Sequence, residues 1–429
     1  FSFVSLLLSF LSAVFYVSLC HLSAVYVLLC RSRSLLCLIL FFFLMIRRPP
    51  RSTLDRSSAA SDVYKRQRPD WCRQWPALAT ELLALDDSEQ ARLADDGEAA
   101  LAFVARHVTG LSELSELTHV LDCSRSSLPD CGLFWAYGIP GRKRAQIEAF
   151  AASAVRSGQP LIDWCGGKGH LGRLLALHWK VSVTTLEINR SLCAEGEKLA
   201  GRARAAQDFV AGDVTRLPVT NLPNGGHAAA LHACGHLHRA LVGRVAASGL
   251  VALDVAPCCY HLGVAGDYVP TSGPLLTRVT GDDARLAVTE SVTSAPRQRL
   301  QRDREMAWKL AFDAWRRLEG DGQYVNFRPV PAAWMRASFA EFMVLMTRRE
   351  QLPEPGAHRL ADLEQRGWER QREVMRLSIV RHAFRRPLEI WLALDLAVRL
   401  ENDGYSVSLG RFCERRLTPR NLLISARLR

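Results

Sequence analysis

The chain has 429 residues, with 55 Lys and Arg against 43 Asp and Glu, and it is 48% hydrophobic and 23% charged. That balance excludes a disordered or collagen-like polymer, and the length admits two or three domains with a sizeable core. A net charge of +12 points toward an acidic partner such as nucleic acid, depending on where the charge sits.

Much of it sits at the front. Residues 1–44 are almost wholly apolar, broken by Arg31 and Arg33, and long enough for one or two membrane-spanning helices. No basic stretch precedes the run, as a secretory signal would require. The next piece, FFFLMIRRPPRSTLDRSSAASDVYKRQ (41–67), resembles the translated read-through of a sequencing adapter. Residues 1–67 are therefore set aside as non-native, and no membrane association is expected without them. The remainder keeps 47 basic and 41 acidic residues, a moderate excess. Nine cysteines lie in it, an odd number with Cys258 and Cys259 adjacent. A disulfide framework does not follow from that pattern, and a reduced, cytoplasmic setting does.

Residues 68–139 carry apolar side chains at three- and four-residue spacing, which predicts a helical N-terminal domain. From 140 strands and helices alternate. PLIDWC, SVTTLEI, DFVAGDV, HAAALHACG and GLVALDVAPCC read as five strands, and the helices between them imply a parallel, doubly wound sheet. The rhythm stops near Tyr268, and 269–380 read as a mainly helical insertion. A helix ending at Gly404 and two further strands, YSVSLGRFC and RNLLISARL, close the sheet domain, which thus spans 140–268 and 381–429.

The first strand runs into DWCGGKGHLGR, whose glycines let backbone approach a ligand. A phosphate-binding GxxxxGK loop needs Ser or Thr next, and Gly169 follows Lys168. A dinucleotide GxGxxG is matched by Gly167, Gly169 and Gly172, but Asp163 would repel a pyrophosphate. The same acid suits the ammonium of S-adenosylmethionine, whose loop has the form acid-x-Gly-x-Gly-x-Gly. Asp163-x-Cys165-x-Gly167-x-Gly169 fits, with Cys165 at the first glycine position. Glu187, ending the second strand, is placed for ribose hydroxyls, and Asp213, after the third, for the adenine amino group. S-adenosyl-L-methionine is the expected cofactor.

LHACGHLH and APCCYH follow the fourth and fifth strands and would meet at the carboxyl edge, where ligands bind. His232 and His261 are candidate general bases, and Cys234 and Cys258 candidate pocket residues. Zinc suits such donors, but H-x-C with C-C-x-H lacks the CxxC spacing of common structural sites, so no metal is expected. DVAPC also resembles the Asp-x-Pro-Cys element of RNA cytosine-5 methyltransferases, but there the element follows the fourth strand.

Together DWCGGKGHLGR, LHACGHL and APCCYH resemble the methyltransferase-like domain of the family that includes methyltransferase-like protein 25 and glutathione S-transferase C-terminal domain-containing protein. More distantly they resemble tRNA 2′-O-methyltransferases acting on the acceptor stem. GRKRAQIEAFA and LTPRNLLISA agree, so the resemblance covers about 138–265 and 380–429. It implies a Rossmann-like class I methyltransferase with a C-terminal antiparallel hairpin. It also carries over Asp163, Gly167, Gly169 and Glu187 as cofactor residues and the two Cys/His segments as site-lining. His236 stands where the family often has an acid, so no acidic role is carried over there. An RNA acceptor, tRNA or rRNA, is expected from basic clusters at 141–144, 297–304, 381–386 and 411–416. A protein or small-molecule acceptor, or a non-catalytic binding module, are the alternatives.

Overall fold

The computed structural model describes residues 67–429 apart from 133, 219–224, 274–278, 290–295, 321, 323, 324 and 326. The apolar and adapter-like readings before residue 67 fall outside these residues. No helix among the described residues is long and apolar enough to cross a membrane.

The sheet orders its strands β3-β2-β1-β4-β5-β7-β6. They are β1 (Leu161–Trp164), β2 (Val183–Glu187), β3 (Gln207–Ala211), β4 (His227–Cys234), β5 (Ala252–Cys258), β6 (Tyr405–Arg411) and β7 (Leu422–Leu428). The first five pair in parallel, and β7 runs antiparallel to both β5 and β6. β1 and β5 are buried at every position, as strands covered on both faces must be, which is why they read as apolar runs, each interrupted by one buried acid, Asp163 or Asp254, rather than as alternations. This is the expected Rossmann-like class I methyltransferase arrangement, a parallel sheet closed by a C-terminal hairpin. The strand order turns between β1 and β4, and that switch point opens a crevice outside the carboxyl ends of the strands.

Five helices frame this sheet: α1 (Gly141–Ser153), α2 (His170–Trp179), α3 (Arg190–Ala203), α4 (His236–Arg244) and α5 (Arg385–Asn402). Phe150, Leu174, Leu175, Trp179 and Phe412 form the core against α1 and α2, with Phe150 and Phe412 edge to face at 5.9 Å. The apolar α5 is buried along nearly its whole length and packs on β6 and β7. Gly404, at φ 95°, then turns the chain into β6.

The described chain divides into two compact units, and their limits differ from the expected boundaries. One holds 113–290 and 385–429. Residues 113–139 belong here rather than to the helical N-terminal region: the Cys123 amide donates to the Arg411 carbonyl, and Arg173 Nε to the Trp135 carbonyl. The other unit joins 67–112 to 291–384. In it the helices Pro296–Glu319 and Ala357–Leu377 pack closely. A Cβ on Gly367 would lie 2.4 Å from the Ala307 carbonyl, so glycine is what permits the approach. Trp308, Phe312, Trp315, Phe342 and Met343 fill its core.

Candidate functional site

The glycine loop is built from inside. Asp163 is buried, and its Oδ2 accepts the Gly172 amide at 3.1 Å and the Thr185 hydroxyl at 3.3 Å. Burial raises its pKa to about 6, against the pull of those bonds. A Cβ on Gly166 would stand 2.2 Å from that same Oδ2, and one on Gly172 2.8 Å. Gln207 on β3 completes the support by donating to the Gly169 carbonyl and the Thr185 hydroxyl, each at 2.8 Å. Asp163 thus holds the loop's shape. Gly167 is the contrast: at φ 61°, a Cβ there would meet nothing within 4 Å, so its backbone faces open space.

Glu187 ends β2 half-buried. Its Oε2 accepts the Gly167 amide at 3.0 Å and its Oε1 the Asn189 amide at 2.9 Å, leaving further lone pairs for a ligand. Asp213, after β3, accepts the Thr215 amide and hydroxyl at 2.9 and 2.7 Å and lies 3.5 Å from Arg216. Cys165, at φ 56°, is one of the few non-glycine residues in left-handed backbone, and burial pushes its thiol up to about 12. The charges acting on it include Glu187, Asp163, Cys234 and Asp213, so it stands between the acids and the thiols of β4.

A register irregularity between Leu231 and Cys234 lets Cys234 pair across from Cys258. Their sulfurs lie 3.2 Å apart, and the sulfurs of Cys234, Cys258 and Cys259 are all within 4.8 Å of one another. Hydrogen bonds from Cys234 and Cys258 hold Cys259 well below the ordinary thiol value, while its two neighbours are pushed up. His232 and Cys259 adopt φ of 62° and 47°, and strain of this kind gathers at functional sites. The two loops are latched together: the Gly235 amide donates to the Cys258 carbonyl and the His236 amide to the Leu262 carbonyl, both at 3.0 Å.

His232 Nε2 lies 3.3 Å from Gln146 Oε1 on α1. The Gln146 amide nitrogen donates to the Leu417 carbonyl at 3.0 Å, which turns Oε1 toward the imidazole. His232 therefore donates through Nε2 and keeps Nδ1 as its basic nitrogen. Burial lowers its pKa to about 4. His261 Nδ1 is buried with no hydrogen-bond partner, as are Tyr260 Oη, His238 Nε2 and one Arg420 terminal nitrogen.

All the expected site residues thus line one edge, in the strand order Asp213, Glu187, Asp163 with the loop, then the β4 and β5 loops. Cys258 ends the fifth strand, not the fourth, so the cytosine-5 element is not reproduced. Sequence reading missed Gln146, Thr185, Gln207 and Arg420, none of which carried a signal, whereas Cys259 was expected with Cys258 in the loop after the fifth strand. A cleft of about 490 Å³ beside Cys131, Trp135, Arg144 and Leu174 is lined by none of the expected site residues.

Residues 142–264 match a family described as a methyltransferase domain. The matched segment is thus that of a methyltransferase domain. No curated protein matches the chain significantly. Among solved structures it is similar to geranyl diphosphate methyltransferase in complex with GPP and sinefungin, at 12% identity and TM-score 0.23, over 37% of this chain and 65% of that one. An O-methyltransferase family protein from Burkholderia thailandensis follows at 11% and 0.27, over 68% and 61%. Coclaurine N-methyltransferase bound to N-methylheliamine and SAH follows at 12% and 0.24, over 81% and 94%. Overlaps this loose carry no argument about site or acceptor.

Proposed function

We propose that the chain methylates an RNA, tRNA or rRNA, as a cytoplasmic relative of the methyltransferase-like protein 25 type. The observation that carries the reading is the continuous row of acids, open glycine loop and imidazoles along one sheet edge. S-adenosylmethionine supplies an electrophilic methyl on a sulfonium. Glu187 would take the ribose hydroxyls, Asp213 the adenine amino group, and the open face of the loop at Gly167 the methionine part, with Gly169 packed on Gln207 and Phe209 to turn the loop. Asp163 braces the loop from behind through the Gly172 amide. His232, with Nδ1 as its basic nitrogen, would accept a proton from the acceptor, and His261 lies on the neighbouring loop.

The basic clusters support RNA unequally. Arg385 and Arg386 are buried, with Arg386 paired to Glu389, and Arg299 pairs with Asp95. The turn 141–144 differs in its exposure, although Arg142 donates to the Leu417 carbonyl and Arg144 pairs with Glu148. Its residues are exposed, and the helix they begin also carries Gln146, the partner of His232. Lys143 acts on Asp163, His170 and His232, which puts its charge beside the row. A cationic turn there suits a phosphate next to the methyl acceptor. Nine unpaired cysteines support a reducing compartment.

Transfer of labelled methyl from S-adenosylmethionine to tRNA, rRNA and total protein tests the reading. Label in one RNA class, falling steeply with salt, is the expected result. Label confined to protein or small molecules would overturn the RNA assignment. Calorimetric binding of S-adenosylmethionine with no transfer to any acceptor would favour a binding module.

A further inference from the structure

We propose that Cys234, Cys258 and Cys259 form a zinc site at the carboxyl edge of the sheet, with three thiolate ligands and a fourth position open to an exogenous ligand. The inference stands on the thiols and not on the methyl-transfer reading. Their three sulfurs lie within 4.8 Å of one another. Zn–S bonds of about 2.3 Å in a tetrahedron place neighbouring sulfurs about 3.8 Å apart, so the ion needs only small side-chain rotations. The donors come from two adjacent strands and are held by backbone bonds between the loops, so the cluster is preformed. Sequence spacing argued against a metal because CxxC is absent, but the irregularity in β4 supplies the third donor across the sheet.

The surroundings suit an anionic metal–thiolate group. Three thiolates and Zn²⁺ sum to one negative charge, and Arg420 acts on Cys259, His232, His261 and Tyr260. His261, whose Nδ1 is buried without a partner, lies close enough for its charge to interact with Cys259. No other group of three potential ligands this close occurs among the described residues. Three protein donors with one open position is the coordination of catalytic zinc, whereas structural zinc is closed by four. On binding, the protons remaining on the thiols pass to solvent, so affinity rises with pH.

The test is competition for Zn²⁺ between the full chain and a chromophoric chelator, under reducing conditions. One ion per chain is expected, with affinity lowered more than about 100-fold in Cys259→Ser, since losing even an outer contact costs about 10–100-fold. Cys193→Ser, at a buried cysteine on α3, should bind as the wild type does. Co²⁺ added to the unaltered protein should give thiolate-to-metal charge-transfer absorption, which needs no variant to fold. Zinc affinity equal in wild type and Cys259→Ser, or no charge-transfer band, would overturn the site. So would a Cys234–Cys258 disulfide in protein purified under reducing conditions, which would make the pair a redox couple. Calorimetry with S-adenosylmethionine reads the methyl-transfer proposal separately.

Discussion

At the amino ends of β4 and β5, His227 and Asp254 face each other, and at the carboxyl ends of the same strands stand His232, Cys234 and Cys258. At the amino end His227 and Asp254 are saturated, and Arg427 Nε is the atom of this group that lacks a partner. His227 Nε2 meets Asp254 Oδ2 at 2.7 Å, Ser157 meets Nδ1 at 3.1 Å, and the Trp179 ring stacks at 5.2 Å. Ser425 and Arg427 donate to the remaining Asp254 lone pairs at 2.5 and 2.9 Å. Ser157, His227 and Asp254 imitate a hydrolytic triad, yet both His227 and Asp254 are fully buried. At the carboxyl end the backbone is strained and buried polar atoms lack partners. Satisfied polar groups hold a fold together, and unsatisfied ones at a sheet edge wait for a ligand.

The widest separation between the two ends should come from Asp254→Ala. It strands the buried His227 Nε2, while Arg427 keeps the Leu253, Ala426 and Val155 carbonyls, and the unfolding free energy should drop by about 2–3 kcal/mol in urea titrations. S-adenosylmethionine affinity of the protein that remains folded should be unchanged. Lost affinity at undiminished stability would place a ligand at the amino end and break the comparison.

Acid should act on the two ends in sequence. Burial lowers His238 to about 4 and His170 to about 3, so the unfolded chain takes up these protons first. Their stabilisation is complete above pH 6.5 and is lost as pH falls through 6.5 toward 4, on the order of 3 kcal/mol for His238. Asp163 runs the other way: raised to about 6, it stabilises at low pH and loses that as pH rises through 6. Burial alone would raise Asp254, but the His227 bond and Arg427 hold it below the usual carboxylate value, so its contribution fails last, below about pH 4. Urea midpoints between pH 8 and pH 3 should fall in two stages, and His238→Gln should flatten the first. A single stage below pH 4 would mean that the buried histidines do not separate the ends.

Glu187→Gln keeps one acceptor oxygen for the Gly167 or the Asn189 amide, turns an NH2 toward the other, and removes the charge. Affinity for S-adenosylmethionine should weaken about 10-fold, close to 1.4 kcal/mol, with a urea midpoint near the wild type's. Unaltered affinity would take the ribose role from this acid.

These contrasts also mark what the sequence carries. β1, β4 and β5 were legible because buried parallel strands are apolar runs, the remaining strands because turn residues bound them, and the acids because each lies at or near the carboxyl end of a strand. Asp163 was readable as a type but not as a role. Its carboxylate turns inward to Gly172 and Thr185, and nothing local distinguishes an acid that touches a ligand from one that braces the loop behind it. The close approach of the three thiols and the role of Gln146 were not legible, for a different reason. Cys234 and Cys258 are 24 positions apart and meet only through strand pairing, and His232 meets Gln146 across 86. Residues 113–139 follow helical residues in sequence but bond to β6 and α2 in space.

The smallest expected effect is also the most specific. Gln146 touches no ligand in this arrangement; it fixes which nitrogen of His232 carries the proton, through a carbonyl oriented by Leu417. Gln146→Leu removes that acceptor, and a neutral imidazole then divides between two tautomers, of which one leaves Nδ1 free. A bond of this kind contributes about 1 kcal/mol, so kcat should fall roughly 5-fold with KM for S-adenosylmethionine unchanged. Gln146→Glu restores an acceptor and should recover most of the loss. A purely structural role for Gln146 would instead lower stability and leave kcat of the folded protein alone. If both variants lose activity equally, His232 is not acting through its Nδ1, and the base must be sought at His261.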